Sequence, residues 1–236
     1  IICSCCGNAG VDCASGGCED CVTRICPVIG GGPPDPTAKA PEQRQEARAA
    51  TIFQRAEELP TRAIFKDAVN ALDSAANEIS ALAEKLAAGS WDIHAGLERV
   101  RELLKEANRH AIRFIVDTPR VEDASMGLIL SGVALDLSRI TDALERLWEE
   151  RGSLQEEHEH FLLKALQMAV NAYRAFREAD AEKAGEVIRD YEALKKEVSK
   201  RMARGRAADA EVLALIEKVA ANGFFMARLL TKPVPA

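Results

Sequence analysis

Aromatic side chains are scarce in this chain, with 7 Phe, 2 Trp and 2 Tyr among 236 residues. Ala, Leu, Glu, Lys and Arg dominate instead, which is the composition of long packed helices. Basic residues are also in deficit. Lys and Arg number 31 against 37 Asp and Glu, for a formal charge of −6, which argues against wrapping nucleic acid, because a phosphate-binding face needs clustered cations. No apolar run approaches the roughly 20 residues needed to span a bilayer, so the expectation is a soluble, cytoplasmic chain without membrane insertion. Catalytic signatures are missing as well. There is no serine or cysteine nucleophile in a recognisable setting and no dinucleotide fingerprint, and Gly30-Gly31-Gly32 lacks the strand, lysine and helix of a phosphate loop. The sequence reads as a non-enzyme. The chain begins at Ile1, which leaves an upstream segment or a removed signal peptide open.

Cysteine is absent after Cys26. All seven, Cys3, Cys5, Cys6, Cys13, Cys18, Cys21 and Cys26, sit in residues 1–26 among Gly, Ser, Ala and Asn, with no aromatic residue to build a core. Such a segment needs cross-links to be ordered. Cys3-Ser-Cys5-Cys6 and Cys18-Glu-Asp-Cys21 are chelating spacings that let two thiolates reach one zinc, copper or iron ion. The texture resembles metallothionein. A disulfide-stapled or disordered tail with one cysteine left over is the alternative. Residues 27–41, PVIGGGPPDPTAKAP, form a linker, since glycine and proline prevent helix and strand alike.

The remainder is predicted to be all-α, with one helical repeat over 42–152, carrying an extra N-terminal helix, and a second over 153–236. A first segment, 42–59, stops at Pro60. Thr61 is placed to cap a helix with Phe65, Val69, Leu72, Ile79, Leu82 and Leu86 inward, ending at Gly89. Ser90 is expected to cap the next, with Ile93, Leu97, Val100, Leu104, Ile112 and Ile115. After Gly152, Ser153 and Glu156 are read as a capping box for a helix burying Phe161, Ala165, Met168, Ala172 and Phe176. Asp180 opens another over Ala184, Val187, Tyr191, Leu194 and Val198. A last helix buries Val212, Leu215, Val219 and Met226.

The most informative stretch is Pro119 to Glu149. Met126, Ile129, Val133, Leu137, Ile140, Leu144 and Leu147 recur at helical spacing and must be buried. Beside them run Ser131, Leu135, Ser138, Asp142 and Glu145, so hydroxyls and carboxylates border a core-facing surface. Pro119, Asp123, Asp136, Leu137, Arg139, Ile140 and Asp142 fall in the register of the third helix of a repeat in the phosphate-uptake regulator PhoU, which this stretch resembles. The halves also look like one unit used twice. Leu104 and Leu194 match at an offset of 90 residues, which lays Gly89-Ser90 over Ala179-Asp180. The resemblance implies tandem three-helix bundles over roughly residues 61–230. It implies metal-carrying glutamate–aspartate pairs one turn apart, with iron, manganese or zinc as the ion. Here Ser138 stands at the glutamate position before Asp142, and Ala221 at the aspartate position after Glu217, so each pair is half present. Asp136, Glu145 and Asn222 are further oxygen ligands nearby.

His158 and His160 are two apart and point to different sides of a helix, and Glu106 with His110 is read as a helix-surface contact. Two functional readings stay open. By resemblance, the chain regulates a phosphate transporter or its sensor kinase through protein contacts, with metal and a homodimer as options. Alternatively, the cysteine segment is a metal-binding or redox element and the helices its scaffold.

Overall fold

Proline and glycine set the boundaries of the helices. A computed structural model describes residues 53–205 and 207–231, all within one compact unit, Glu42–Ala236. The long helices are α1 (Arg62–Ala87), α2 (His94–Asp117), α3 (Val121–Glu149), α4 (Glu156–Glu178), α5 (Ala181–Met202) and α6 (Ala207–Thr231). A helical turn at residues 53–57 precedes them, a 3-10 turn, Arg151–Ser153, links α3 to α4, and no strand occurs among the described residues. The cysteine segment and the linker lie outside the described residues.

Short connections force successive helices to run antiparallel. α2 packs along α1 and α3, α6 packs along α4 and α5, and the contacts of α3 with α6 and of α1 with α4 join the two sets. The apolar stripe of α3 is the centre of the core. Val133, Leu137, Ile140, Leu144 and Leu147 are all at most 2% exposed, and each contributes on the order of 1.5–3 kcal/mol by leaving water. Asp123–Glu149 is apolar enough by length and composition to rank as a candidate span, and half of its most apolar window is buried in the bundle.

Two glycines set interhelical distances. A Cβ on Gly127 of α3 would lie 3.0 Å from the Ala111 carbonyl oxygen of α2, and one on Gly223 of α6 would lie 3.0 Å from Cα of Ala169 in α4. Any side chain there pushes two backbones apart.

The turns refine the expected caps. α1 ends in a Schellman motif, with Gly89 at φ 75°, its amide donating to Leu86 O and the Ser90 amide to Lys85 O, both at 2.9 Å. The Ser90 hydroxyl instead accepts from the Asp92 amide at 3.4 Å. It does not cap α2, whose N-cap is Ile93. The expected Ser153–Glu156 box is also displaced. Ser153 Oγ donates to Glu150 O at 2.7 Å, and the N-cap of α4 is Gln155, whose amide donates to Nδ1 of His158 at 3.3 Å. Asp180 caps α5 as expected, accepting from the Lys183 amide at 2.9 Å. Thr61 holds the N-cap position of α1, but its hydroxyl pairs with that of Thr118 at 3.0 Å, tying the start of α1 to the end of α2.

Candidate functional site

The row of hydroxyls and carboxylates on α3 lines a groove shared with α2. Because the helices are antiparallel, Ser131 faces Asn108, with Ser131 Oγ donating to Oδ1 at 2.7 Å, and Glu145 faces Arg101. The groove is about 380 Å³ and opens between Arg101, Lys105 and Asn108 on one wall and Ser131, Ser138 and Asp142 on the other. Arg101 stands at the end nearest Asp142 and Glu145. Its guanidinium makes a bidentate pair with Glu145, donates to Glu98 Oε1 at 2.7 Å and stands 3.8 Å from Asp142 Oδ1. Bidentate pairing is the strongest side-chain arrangement open to arginine, and it holds the Glu145 carboxyl below the usual carboxylate range and raises the Arg101 guanidinium above its ordinary value.

The carboxylates expected to bind metal are separated by this geometry. Asp142 is exposed on the groove rim beside Arg101. Asp136, six residues earlier on the same helix, points to a different side and is buried, with Arg139 Nη1 3.6 Å away. Burial pushes its carboxyl up to about 6, against a smaller opposing effect of Arg139. Glu217 is half-buried on α6, and the amide of the buried Asn222 donates to Lys218 O at 2.6 Å. Among the described residues no three His, Cys, Asp or Glu side chains are placed to share an ion. Cys3, Cys5, Cys6, Cys13, Cys18, Cys21 and Cys26 lie outside the described residues. His158 is buried and His160 exposed, and Nε2 of His110 lies 3.8 Å from Glu106.

Asp123, matched by the sequence to a motif position, is 1% exposed and paired with Arg55 at 2.5 Å. It fastens the chain before α1 to the start of α3. A polar cluster that the sequence did not suggest pins the opposite end. The indole of Trp148 donates to Trp91 O at 3.1 Å and that of Trp91 to Glu159 Oε1 at 3.2 Å, while His94 stacks on Trp148 with ring centres 5.0 Å apart. Trp91 and Trp148 are far apart in sequence and on no common periodicity, so only the antiparallel path of α2 and α3 brings them together.

Most of the exposed large apolar side chains lie towards one end of the bundle, with Leu135 at the middle of α3. The exposed large hydrophobics among the described residues are Ile112 and Val116 on α2, Val121, Leu128 and Leu135 on α3, and Phe225 and Leu229 on α6. α2 finishes at this end and α3 starts there. α6 finishes there too, because its Asp209 meets Gln155 at the start of α4, at the other end. Ile112 corrects the sequence reading of α2. It is 50% exposed, and the inward positions are Ala107, Ala111 and Phe114. The outer face of α3 changes character along its length, apolar from Val121 to Leu135 and charged from Arg139 through Asp142 to Arg146. Compared with family models, curated proteins and solved structures, the chain matches none.

Proposed function

We propose that the chain is a PhoU-like regulatory protein, built from tandem three-helix units, that acts by docking a helical face on protein partners of phosphate transport and signalling. The observation that carries this reading is that Ile112, Val116, Val121, Leu128, Phe225 and Leu229 are exposed towards the end of the bundle where α2 and α6 finish and α3 starts. Surface apolar residues scattered singly need no explanation, whereas a contiguous set rimmed by polar groups marks an interaction site. The Pro119, Asp123, Asp136 and Asp142 register supports the family. The tandem reading is supported by the α1–α2 and α4–α5 turns, which share one motif at the offset of 90 residues found in the sequence.

Binding of the full chain to purified cytoplasmic components of a phosphate transporter and to a phosphate-sensing kinase tests the reading. Binding to one of them is expected, weakened at least about tenfold by Leu128→Glu, the scale for losing a central interface contact. Absence of binding to both, or binding that Leu128→Glu leaves intact, overturns it.

A further inference from the structure

We infer that the groove between α1 and α4 is a binding site for a small oxyanion, a phosphoryl or carboxylate group, with Arg174 as its cation and Asn77 and Ser80 as its neutral donors. The inference stands on this groove and is independent of the docking reading above.

The groove lies where the two helix sets join. It is about 240 Å³, with Asn77 and Ser80 of α1 on one wall, Arg174 of α4 on the other, and Ala76 and Val170 as apolar lining. One end is closed by a fixed network. Tyr173, 4% exposed, donates to Asp73 Oδ1 at 2.6 Å, and Arg177 Nε donates to the two Asp73 oxygens at 3.2 Å and 3.1 Å. Such a satisfied network holds α1 and α4 in register and keeps the wall rigid.

Charge decides what can enter. Of the charged side chains lining the groove, Arg177 answers Asp73, and Glu178 pairs with Lys183. Arg174 has no carboxylate partner among the described residues, whereas Arg101 and Arg201 each reach one. Glu78, next to Asn77 in sequence, is turned towards Gly96 of α2 and does not compensate it. The groove therefore keeps one positive charge on a chain whose formal charge is −6. A metal ion or an amine would meet that charge unopposed, and an apolar ligand would bury it unpaired.

The neutral donors are open as well. Serine and asparagine within helices commonly bond back to a carbonyl one turn earlier, as Ser74 does to Asn70 O at 2.9 Å and Asn222 to Lys218 O at 2.6 Å. Ser80 and Asn77 make no such bond, so their hydroxyl and amide are left for the groove. A guanidinium fork matches two oxygens of a carboxylate or phosphate. Hydroxyl and amide donors from the facing wall supply the remaining contacts. An oxyanion held this way bridges α1 and α4 and stabilises the fold by mass action.

Thermal melting and titration calorimetry of the full chain with inorganic phosphate, glycerol phosphate and acetate, at fixed ionic strength because bulk salt screens exposed charges, test the inference. The expected result is a saturable rise in melting temperature with one anion bound per chain. Arg174→Gln weakens binding at least about tenfold, the scale of losing hydrogen bonds to a charged group, and Ser80→Ala weakens it by a smaller factor, both with unchanged helical circular dichroism. Arg189→Gln, which removes an exposed cation of α5 outside the groove, leaves binding as it is. A response to either phosphate assigns the phosphoryl group, and a response to acetate the carboxylate. No saturable response to any of the three overturns the inference, as does an Arg174→Gln protein that binds as tightly as the parent or an Arg189→Gln protein that is weakened equally.

Discussion

Gly89 and Ala179 close their helices with the same left-handed backbone, at φ 75° and 57°. In each, the next amide reaches back five residues, Ser90 to Lys85 O and Asp180 to Ala175 O, both at 2.9 Å. The left-handed conformation is open to glycine, but it brings the Cβ of an alanine close to the following carbonyl, at about 1–2 kcal/mol. Ala179→Gly relieves that contact and adds unfolded-state entropy worth about 0.4–1 kcal/mol in the other direction. The net expectation is a gain of about 0.5–1 kcal/mol, read as a higher denaturation midpoint. Gly89→Ala is expected to lose about 1 kcal/mol. A destabilised Ala179→Gly protein would mean that the alanine methyl contributes more by packing than its backbone costs.

Leu137 is 2% exposed at the middle of α3, where the two helix sets meet. Leu137→Asp buries a carboxylate with no partner and is expected to cost at least about 3 kcal/mol, a large part of the ~5–15 kcal/mol that holds a domain together. Circular dichroism melting checks it, and an unchanged midpoint is incompatible with the packing described.

Local chemistry made the helices legible. Periodicity placed Leu72, Leu97, Leu144 and Leu194 inside, and Pro60, Gly89, Pro119 and Gly152 marked the ends. The caps went astray because Ser90 and Ser153 sit at positions that suit a cap, and only the competing hydrogen bonds show that they finish the preceding structure instead. Ile112 misled because isoleucine is apolar whichever way it faces. The inward side of α2 is carried there by Ala107 and Ala111, which periodicity scarcely registers. The α3 row of Ser131, Ser138 and Asp142 was legible as a surface, but its cation was not, since Arg101 reaches it from another helix. Val121 and Leu128 lie off the stripe that periodicity picked out, and their exposure depends on which side of α3 the helices α2 and α6 cover.

Arg101 changes what the half-present carboxylate pair can do. Ser138→Glu places a second carboxylate one turn from Asp142, in a groove already walled by Arg101 and Lys105. The new carboxylate finds a cation within the chain, so the variant is expected to melt slightly higher than the parent without metal, by an amount worth a few tenths of a kcal/mol for an exposed pair. Added manganese or zinc is expected to raise the midpoint little further, because an ion must displace arginine and shed its own water. A variant that is destabilised alone and rescued by metal through mass action would show that the two carboxylates face each other and not Arg101.

Asp136 gives the bundle a definite pH signature. Its carboxyl is buried and pushed up to about 6 by loss of hydration, with Arg139, half in solvent at 3.6 Å, offsetting only part of that cost. The unfolded chain binds this proton near the ordinary value of about 3.9. Between the two values the folded protein holds a proton that the unfolded one lacks, so this group favours folding increasingly as pH falls through 6 towards 4, and weakens it above 6. The displacement of about two units corresponds to an upper bound of about 2–3 kcal/mol. Asp136→Asn keeps the shape and removes the charge. Its urea midpoint is expected to exceed that of the parent at about pH 8, with the gap narrowing through pH 6 and nearly closed by about pH 4. The opposite trend belongs to Glu145, held low by Arg101, whose contribution is lost as pH falls through its lowered folded value, and it is common to both proteins. A gap that stays constant across the range would place the Asp136 carboxylate in water or in a complete ion pair, and would remove burial as the cause of its shift.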